Sequence, residues 1–289
     1  MACPRMGCPL INLASMFDLS FSLHSGILLT RGESRMNRQA ELEAAGDVLA
    51  AADRVVALTG AGISAESGIP TFRGEDGLWK TYRAEQLATP TAFIQNPKLV
   101  WEWYDWRRGI IGTKEPNAGH KVLAEWEGLF PYFFLITQNI DGLHQKAGSK
   151  NVLELHGNVW KQRCIQEHTI IENHDIPLNE IPPHCESCGA LLRPHVVWFG
   201  ESLDGSILQK AFMLSAGCDV MLVVGTSAYV QPAASLPLSA VEAGAKIIEI
   251  NPDPTPLTSQ ADFSFQAKSG EFLPLLDAAI KERMKAKKE

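Results

Sequence analysis

No apolar run in the 289 residues is long enough to span a bilayer, which excludes a helical membrane span. Positive charge is not in excess either. The formal net charge is -7, so the chain has no broad basic field and direct binding of nucleic acid is not expected. Internal repeats and low-complexity segments are missing. The six cysteines do not form a disulfide framework; Cys185 and Cys188 are spaced as metal ligands, and a reducing compartment fits them better. What remains is ordinary for a globular protein, with 45% hydrophobic and 20% charged residues. The length allows one large domain, alone or with an insertion.

The first 35 residues carry Arg5, Arg31 and Arg35 and several serines, with only Asp18 and Glu33 as acids. That bias faintly resembles a mitochondrial transit peptide, but no clear amphipathic helix supports it. Residues 1–36 are therefore expected to be a disordered extension, with Met36 as the natural first residue. The expected location is cytoplasmic, with a mitochondrial one as the alternative.

Residues 37–53 carry an apolar stripe at helical spacing: Leu42, Ala45, Val48, Leu49 and Ala52. Buried strands are expected at RVVALT (54–59), YFFLIT (132–137), VLEL (152–155), DVMLVVGT (219–226) and KIIEIN (246–251), with DFSF (262–265) as a sixth. Residues 91–129 read as mostly helical, interrupted by Pro97 and by the GTKEPN turn. Apolar strands alternating with helices indicate an α/β fold, a parallel sheet covered on both faces. The stretch 159–197 is less regular and gathers Cys164, His168, His174, His184, Cys185 and Cys188. It reads as an insertion.

Gly60-Ala61-Gly62-Ile63-Ser64-Ala65 follows the first strand and fits the G-x-G-x-x-G/A dinucleotide pattern. Glycines there allow a tight turn and let the backbone approach a pyrophosphate. Pro70 falls where an ordinary Rossmann helix would continue, so the segment reads as a loop over the cofactor. Gln138, Asn139 and Asp141 follow a buried strand, at the carboxyl end where α/β sheets bind ligands. Asn and Asp there could bind an amide or a ribose hydroxyl, or cap the short helix that follows. His156 also ends a strand and could take a proton near neutral pH; a lone histidine is otherwise a structural residue. Gly225, Thr226 and Ser227 end a strand with small residues and hydroxyls suited to phosphate or ribose, and Asn251 ends the next.

GAGISAESGIPTFRG (60–74) resembles the cofactor loop of the sirtuins, the NAD-dependent protein-lysine deacylases. TQNIDGLH (137–144), ELHGN (154–158), GTSAYVQPAA (225–234) and INPD (250–253) agree with the family in the expected order, over roughly residues 40–280. The resemblance implies a catalytic domain over 37–289. Its Rossmann-like core would occupy about 37–90, 131–158 and 198–289, and its smaller zinc-ribbon-like and helical lobe about 91–130 and 159–197. It implies NAD as a consumed co-substrate, acylated lysines of proteins as partners, and His156 as the catalytic base. In the implied reaction the acyl-lysine oxygen attacks the ribose carbon bearing nicotinamide, and nicotinamide leaves an imidate. His156 helps a ribose hydroxyl attack the imidate, and water completes transfer to give free lysine and O-acyl-ADP-ribose. Asn139 and Asp141 would orient the nicotinamide amide, while Phe72 and Arg73 would close the loop over the ribose. PHVVWFGE (194–201) resembles the family's peptide groove, where Val197 and Phe199 would meet an extended substrate.

VWEWYDWRRG (100–109) resembles the corresponding segment of the desuccinylase/demalonylase branch. Tyr104 and Arg107 match the pair that binds the acyl carboxylate there, and Ala88 matches a small residue that widens the pocket. Arg108 is expected to sit in solvent at the helix end. The family's ribbon has two Cys-x-x-Cys pairs. Here the second pair is Cys185-Glu-Ser-Cys188, whereas the first is Cys164-Ile-Gln-Glu167. Glu167 or His168 could supply a fourth zinc ligand beside Cys164, Cys185 and Cys188, or the lobe could fold without metal. An ADP-ribosyltransferase and a non-catalytic NAD-binding sensor are the competing functions.

Overall fold

The computed structural model describes residues 31–70 and 87–286. The chain divides into residues 1–38 and a body of residues 39–289. Disorder expected for residues 1–30 lies outside the described residues. A helix, α1 (Arg31–Ala50), begins inside the expected extension, which corrects its boundary.

The body is built on six parallel strands: β1 (Arg54–Thr59), β2 (Tyr132–Thr137), β3 (Val152–Glu154), β7 (Val220–Val224), β8 (Lys246–Ile250) and β9 (Phe263–Phe265). Their order is β3-β2-β1-β7-β8-β9. All six expected strands are present: β1 and β2 keep the expected bounds, β3, β8 and β9 are one residue shorter, and β7 is three residues shorter. Both faces are apolar because a strand's side chains alternate sides. Val55 and Ala57 of β1 join Val220, Leu222 and Val224 in one core, under α1, α5 (Ala118–Trp126) and α9 (Ser269–Ala286). Val56 and Leu58 join Met221 and Val223 in the opposite core, with α7 (Gly205–Ala216) and α8 (Leu236–Glu242). The sheet order reverses between β1 and β7, where α/β folds open a crevice at the carboxyl ends of the strands.

The stretch expected to be irregular contains a second sheet. β4 (Gly157–Cys164) pairs antiparallel with β5 (Ile170–Glu172) and β6 (Leu192–Val196). Two helices lie against this lobe. α3 (Pro90–Gln95) is capped by Thr89 and α4 (Pro97–Gly112) by Asn96, each with proline at the start, where a missing N–H costs nothing. Their buried faces share a third core with Val159, Cys164, Cys185 and Leu192. β6 stops at Val196; Val197 and Trp198 follow without regular structure, and the chain turns at Phe199 and Gly200.

Candidate active site

The crevice floor is a meeting of three glycines. Gly62 N–H donates to the Gly225 carbonyl at 2.7 Å, Gly60 N–H to that of Val224 at 3.1 Å, and Gly225 N–H to that of Ile250 at 2.9 Å. A Cβ at Gly62 would lie 2.7 Å from Gly225, and one at Gly60 would lie 2.8 Å from the Gly225 carbonyl. Gly225 itself has φ +59°, where a Cβ would meet the Ile63 nitrogen at 2.4 Å. The first and fourth strand ends therefore lock together only because both are glycine. Thr226 follows, buried, accepting from Gln138 Nε2 at 3.0 Å. Ala61 and Ala65 bound the short helix α2 (Ala61–Ala65) above this contact; Ser227 and Asn251 lie beside it, the Asn251 amide donating to the Asp253 carbonyl at 2.7 Å.

A buried polar network fills the β1–β2 side. Ser64 Oγ donates to Asp141 Oδ2 at 2.8 Å and accepts from Asn139 Nδ2 at 3.1 Å. Asn139 Nδ2 also reaches the Gly60 carbonyl at 3.0 Å. Asp141 Oδ1 accepts from the Leu143 N–H at 2.8 Å, so this residue both caps α6 (Leu143–Lys146) and faces the site. Burial raises the pKa of Asp141, opposed by these hydrogen bonds and by the charge of Arg107. Trp160 Nε1 donates to the Asp141 carbonyl at 2.8 Å and fixes the loop from behind.

His156 stands at the β3–β4 junction. Its Nδ1 lies 2.9 Å from the Gln138 carbonyl. A carbonyl only accepts, so Nδ1 carries the proton and Nε2 keeps its lone pair. Burial lowers the pKa of His156, opposed by that hydrogen bond. The free ring nitrogen is a base at neutral pH.

The substrate-side residues converge as the sequence suggests. Val197 N–H donates to the His156 carbonyl and Phe199 N–H to that of Ala88, both at 2.9 Å. Trp198, between them, donates from Nε1 to the Tyr104 hydroxyl at 3.0 Å. That hydroxyl therefore accepts from the indole and directs its own proton elsewhere. Burial pushes the Tyr104 pKa up to about 12, so it stays a neutral donor. Arg107 is 6% exposed, with its guanidinium 4.9 Å from the Trp103 ring centroid and 5.9 Å from that of Tyr104. Burial lowers its pKa, while Tyr104 and Asp141 oppose the shift; arginine remains cationic.

Arg108 is not in solvent. It is 0% exposed, and its Nη2 donates to the Asn173 carbonyl and Oδ1 at 2.7 Å and to the Asp175 carbonyl at 3.0 Å. The expectation failed because α4 is sandwiched by the inserted lobe, which a helix-end rule cannot foresee.

The Sir2 family model matches residues 60–232. The chain belongs to the Sir2 family. An "NAD-dependent protein deacylase" of Aquifex aeolicus (strain VF5) is 57% identical over 233 residues, 81% of this chain and 98% of the relative. One of Pyrobaculum aerophilum, "NAD-dependent protein deacylase 2", is 49% identical over 83% of this chain and 96% of its own length. Among solved structures, a Sir2 homolog–NAD complex superposes with TM-score 0.79 at 49% identity, covering 84% of this chain and 94% of the other. A Sir2 complex with a deacetylated peptide and 3′-O-acetyl ADP-ribose has TM-score 0.71 at 36% identity, covering 81% and 96%.

Two of the expected site residues of this Sir2 chain, Phe72 and Arg73, lie outside the described residues. Two buried histidines join the site without having been singled out. His144 Nε2 is 2.9 Å from Thr59 Oγ1, His120 Nε2 is 3.4 Å from Ser64 Oγ, and their rings are 4.8 Å apart. Burial pushes the His120 pKa down to about 4 and that of His144 well below the usual value, so both are neutral at pH 7. His144 was visible at the end of TQNIDGLH; His120 carried no signal beyond its place in the first turn of α5.

Cys164, Glu167, Cys185 and Cys188 converge, with their ligand atoms within 4.8 Å of one another. Three thiols and one carboxylate at that spacing fit a tetrahedral zinc ion. His168 is not part of the cluster among the described residues.

Proposed function

We propose that this Sir2 protein is an NAD-dependent protein deacylase that prefers succinyl- and malonyl-lysine. Membership of the family, and relatives of up to 57% identity called NAD-dependent protein deacylases, support the general activity. The observation that carries the acyl preference is Arg107. It is an almost fully buried cation beside the neutral donor Tyr104, on the helix that faces the Asp141 loop. A buried guanidinium next to a neutral hydroxyl donor is a charge-assisted, geometrically fixed site for a carboxylate. A terminal acyl carboxylate fits it: Arg107 would hold it bidentately and Tyr104 would add a neutral hydrogen bond.

NAD supplies an ADP-ribosyl group that accepts the acyl chain and nicotinamide as leaving group. The chain's residues provide the rest. The close Gly60–Gly62–Gly225 contact shapes the crevice floor against which a pyrophosphate would lie. Asn139, Ser64 and Asp141 form a rigid polar wall for an amide. Asn251 and Ser227 sit at strand ends suited to ribose hydroxyls. His156 Nε2 removes a proton from a ribose hydroxyl, and the Gln138 carbonyl steadies the resulting imidazolium at Nδ1. An acyl-lysine peptide would lie as an extended chain along Val197–Phe199, in strand-addition fashion.

The test is competition among substrates. The protein is incubated with NAD and matched acetyl-, malonyl- and succinyl-lysine peptides, and free lysine and O-acyl-ADP-ribose are followed by mass spectrometry. Succinyl and malonyl turnover should exceed acetyl turnover. Faster acetyl removal refutes the acidic preference, and no NAD-dependent turnover of any peptide refutes the deacylase reading.

A further inference from the structure

The geometry points to Glu167 as a zinc ligand in its own right, giving a Cys3Glu site whose carboxylate is held by Ser187 and whose metal is exchangeable. Cys164-Ile-Gln-Glu167 and Cys185-Glu-Ser-Cys188 fold into the same turn. His168 N–H closes the first onto the Cys164 carbonyl at 3.1 Å, and Gly189 N–H closes the second onto the Cys185 carbonyl at 2.8 Å. The closing residue is left-handed in both, with φ +60° at His168 and +72° at Gly189. Left-handed backbone is common for glycine and uncommon for other residues. The first turn therefore keeps its shape even though a side chain occupies that position. The correspondence places Glu167 where Cys188 stands in the second turn.

The side chains agree. Cys164 Sγ lies 3.5 Å from Cys188 Sγ, and Glu167 Oε2 lies 3.9 Å from Cys185 Sγ. The Glu167 N–H donates to Cys164 Sγ at 3.3 Å, a contact that stabilises a thiolate. Ser187 Oγ donates to Glu167 Oε2 at 2.5 Å and lies 3.2 Å from Cys185 Sγ. Ser187 comes from the opposite turn, so this hydrogen bond ties the two turns together and aims the carboxylate. Ligands oriented by such outer hydrogen bonds lose about 10- to 100-fold in metal affinity when the bond is removed. A carboxylate is also a harder ligand than the thiolate it replaces. The consequence is a site that binds zinc but releases it sooner than a four-thiolate version of the same ribbon would.

The test is independent of catalysis and acyl preference. The full chain is loaded with zinc alone, its zinc content is measured by mass spectrometry, and release to a chromophoric chelator is timed. One zinc per chain is expected. Glu167→Cys should slow release at least about tenfold, Ser187→Ala should speed it about tenfold, and His168→Ala should leave it unchanged. Cobalt loading adds a direct readout: the sulfur-to-metal charge-transfer band should grow by about a third in Glu167→Cys, from three thiolates to four. Equal release from wild type and Glu167→Cys overturns the assignment. So does acceleration by His168→Ala, or wild-type chain that takes up far less than one zinc.

Discussion

Replacing Arg107 by methionine should separate acyl recognition from the rest of the reaction. Methionine roughly keeps the apolar stem and removes the guanidinium that lies 4.9 Å from the Trp103 ring centroid. The size of the effect follows from burial. An exposed arginine pairing with a carboxylate contributes at most about 1 kcal/mol, or about fivefold in kcat/KM. Arg107 is 6% exposed, and removing one partner of a buried pair costs about 3–5 kcal/mol. The expected fall for a succinyl-lysine peptide is therefore roughly 10²-fold to several thousandfold. A second effect must be separated. The Arg107 charge also opposes the upward shift of the Asp141 pKa, so its loss weakens Asp141 as an ionised group for every substrate. That common loss cancels in a ratio. The assay is kcat/KM for succinyl- and acetyl-lysine peptides of one sequence, at neutral pH and saturating NAD, in both proteins. The succinyl-to-acetyl ratio should fall by roughly two orders of magnitude, with acetyl turnover changed only by the Asp141 effect. If the two substrates decline together and the ratio moves less than about fivefold, Arg107 supports the cofactor loop and does not choose the acyl group.

Gly225→Ala forces a Cβ to 2.4 Å from the Ile63 nitrogen in left-handed backbone; it should lower Tm and weaken NAD binding at least about tenfold, and unchanged calorimetric NAD affinity would show that the glycine contact does not form the cradle. His156→Asn should abolish turnover while NAD still binds. In wild type the acidic limb of kcat/KM should lie below the usual histidine pKa of about 6.5, because burial lowers that of His156; a limb above it would point to another base. Buried neutral His120 should make the fold acid-sensitive. Its pKa is about 4 folded and about 6.5 unfolded, so the unfolded chain takes the proton first, and about 3 kcal/mol of stability present above pH 6.5 is lost as pH falls toward 4. Urea unfolding across that window checks this, with a shallower slope expected in His120→Asn and an equal slope refuting it.

The large sheet was legible because a parallel strand buried on both faces must be an apolar run, and RVVALT, YFFLIT and DVMLVVGT are such runs. The same runs end at the site, so Gly60, Gln138, Asn139, Asp141 and Thr226 could be placed near one another from sequence alone. Their bonding could not. Nothing local says that Ser64 Oγ lies between Asn139 and Asp141, because that meeting depends on how β1 and β2 align. His120 was invisible for a related reason, since α5 reaches the site only after the chain has crossed the small lobe. The second sheet was missed because none of its strands is a buried apolar run: β5 is three residues, all exposed, and β4 mixes Lys161, Gln162 and Arg163 among apolar positions. Trp198 was not singled out within PHVVWFGE, and only the structure shows its indole donating to the Tyr104 hydroxyl.

Arg107 and Arg108 show how the inserted lobe supports α4. Consecutive residues on a helix point about 100° apart, so two adjacent arginines cannot share one environment. One of them would ordinarily reach water. Here the segment after β5 covers the second face of α4 and offers the Asn173 and Asp175 oxygens to Arg108. Trp160, from β4, lies under the Arg108 guanidinium at 5.2 Å and stacks on His174 at 5.4 Å. The same indole donates to the Asp141 carbonyl. One stack thus holds the back of α4 and the back of the Asp141 loop together. If the lobe sets this geometry, disturbing its metal-binding turns should reach the acyl pocket through Asn173, Arg108 and Trp160. Acetyl- and succinyl-lysine turnover would then respond unequally, because only the succinyl chain depends on where α4 holds Arg107.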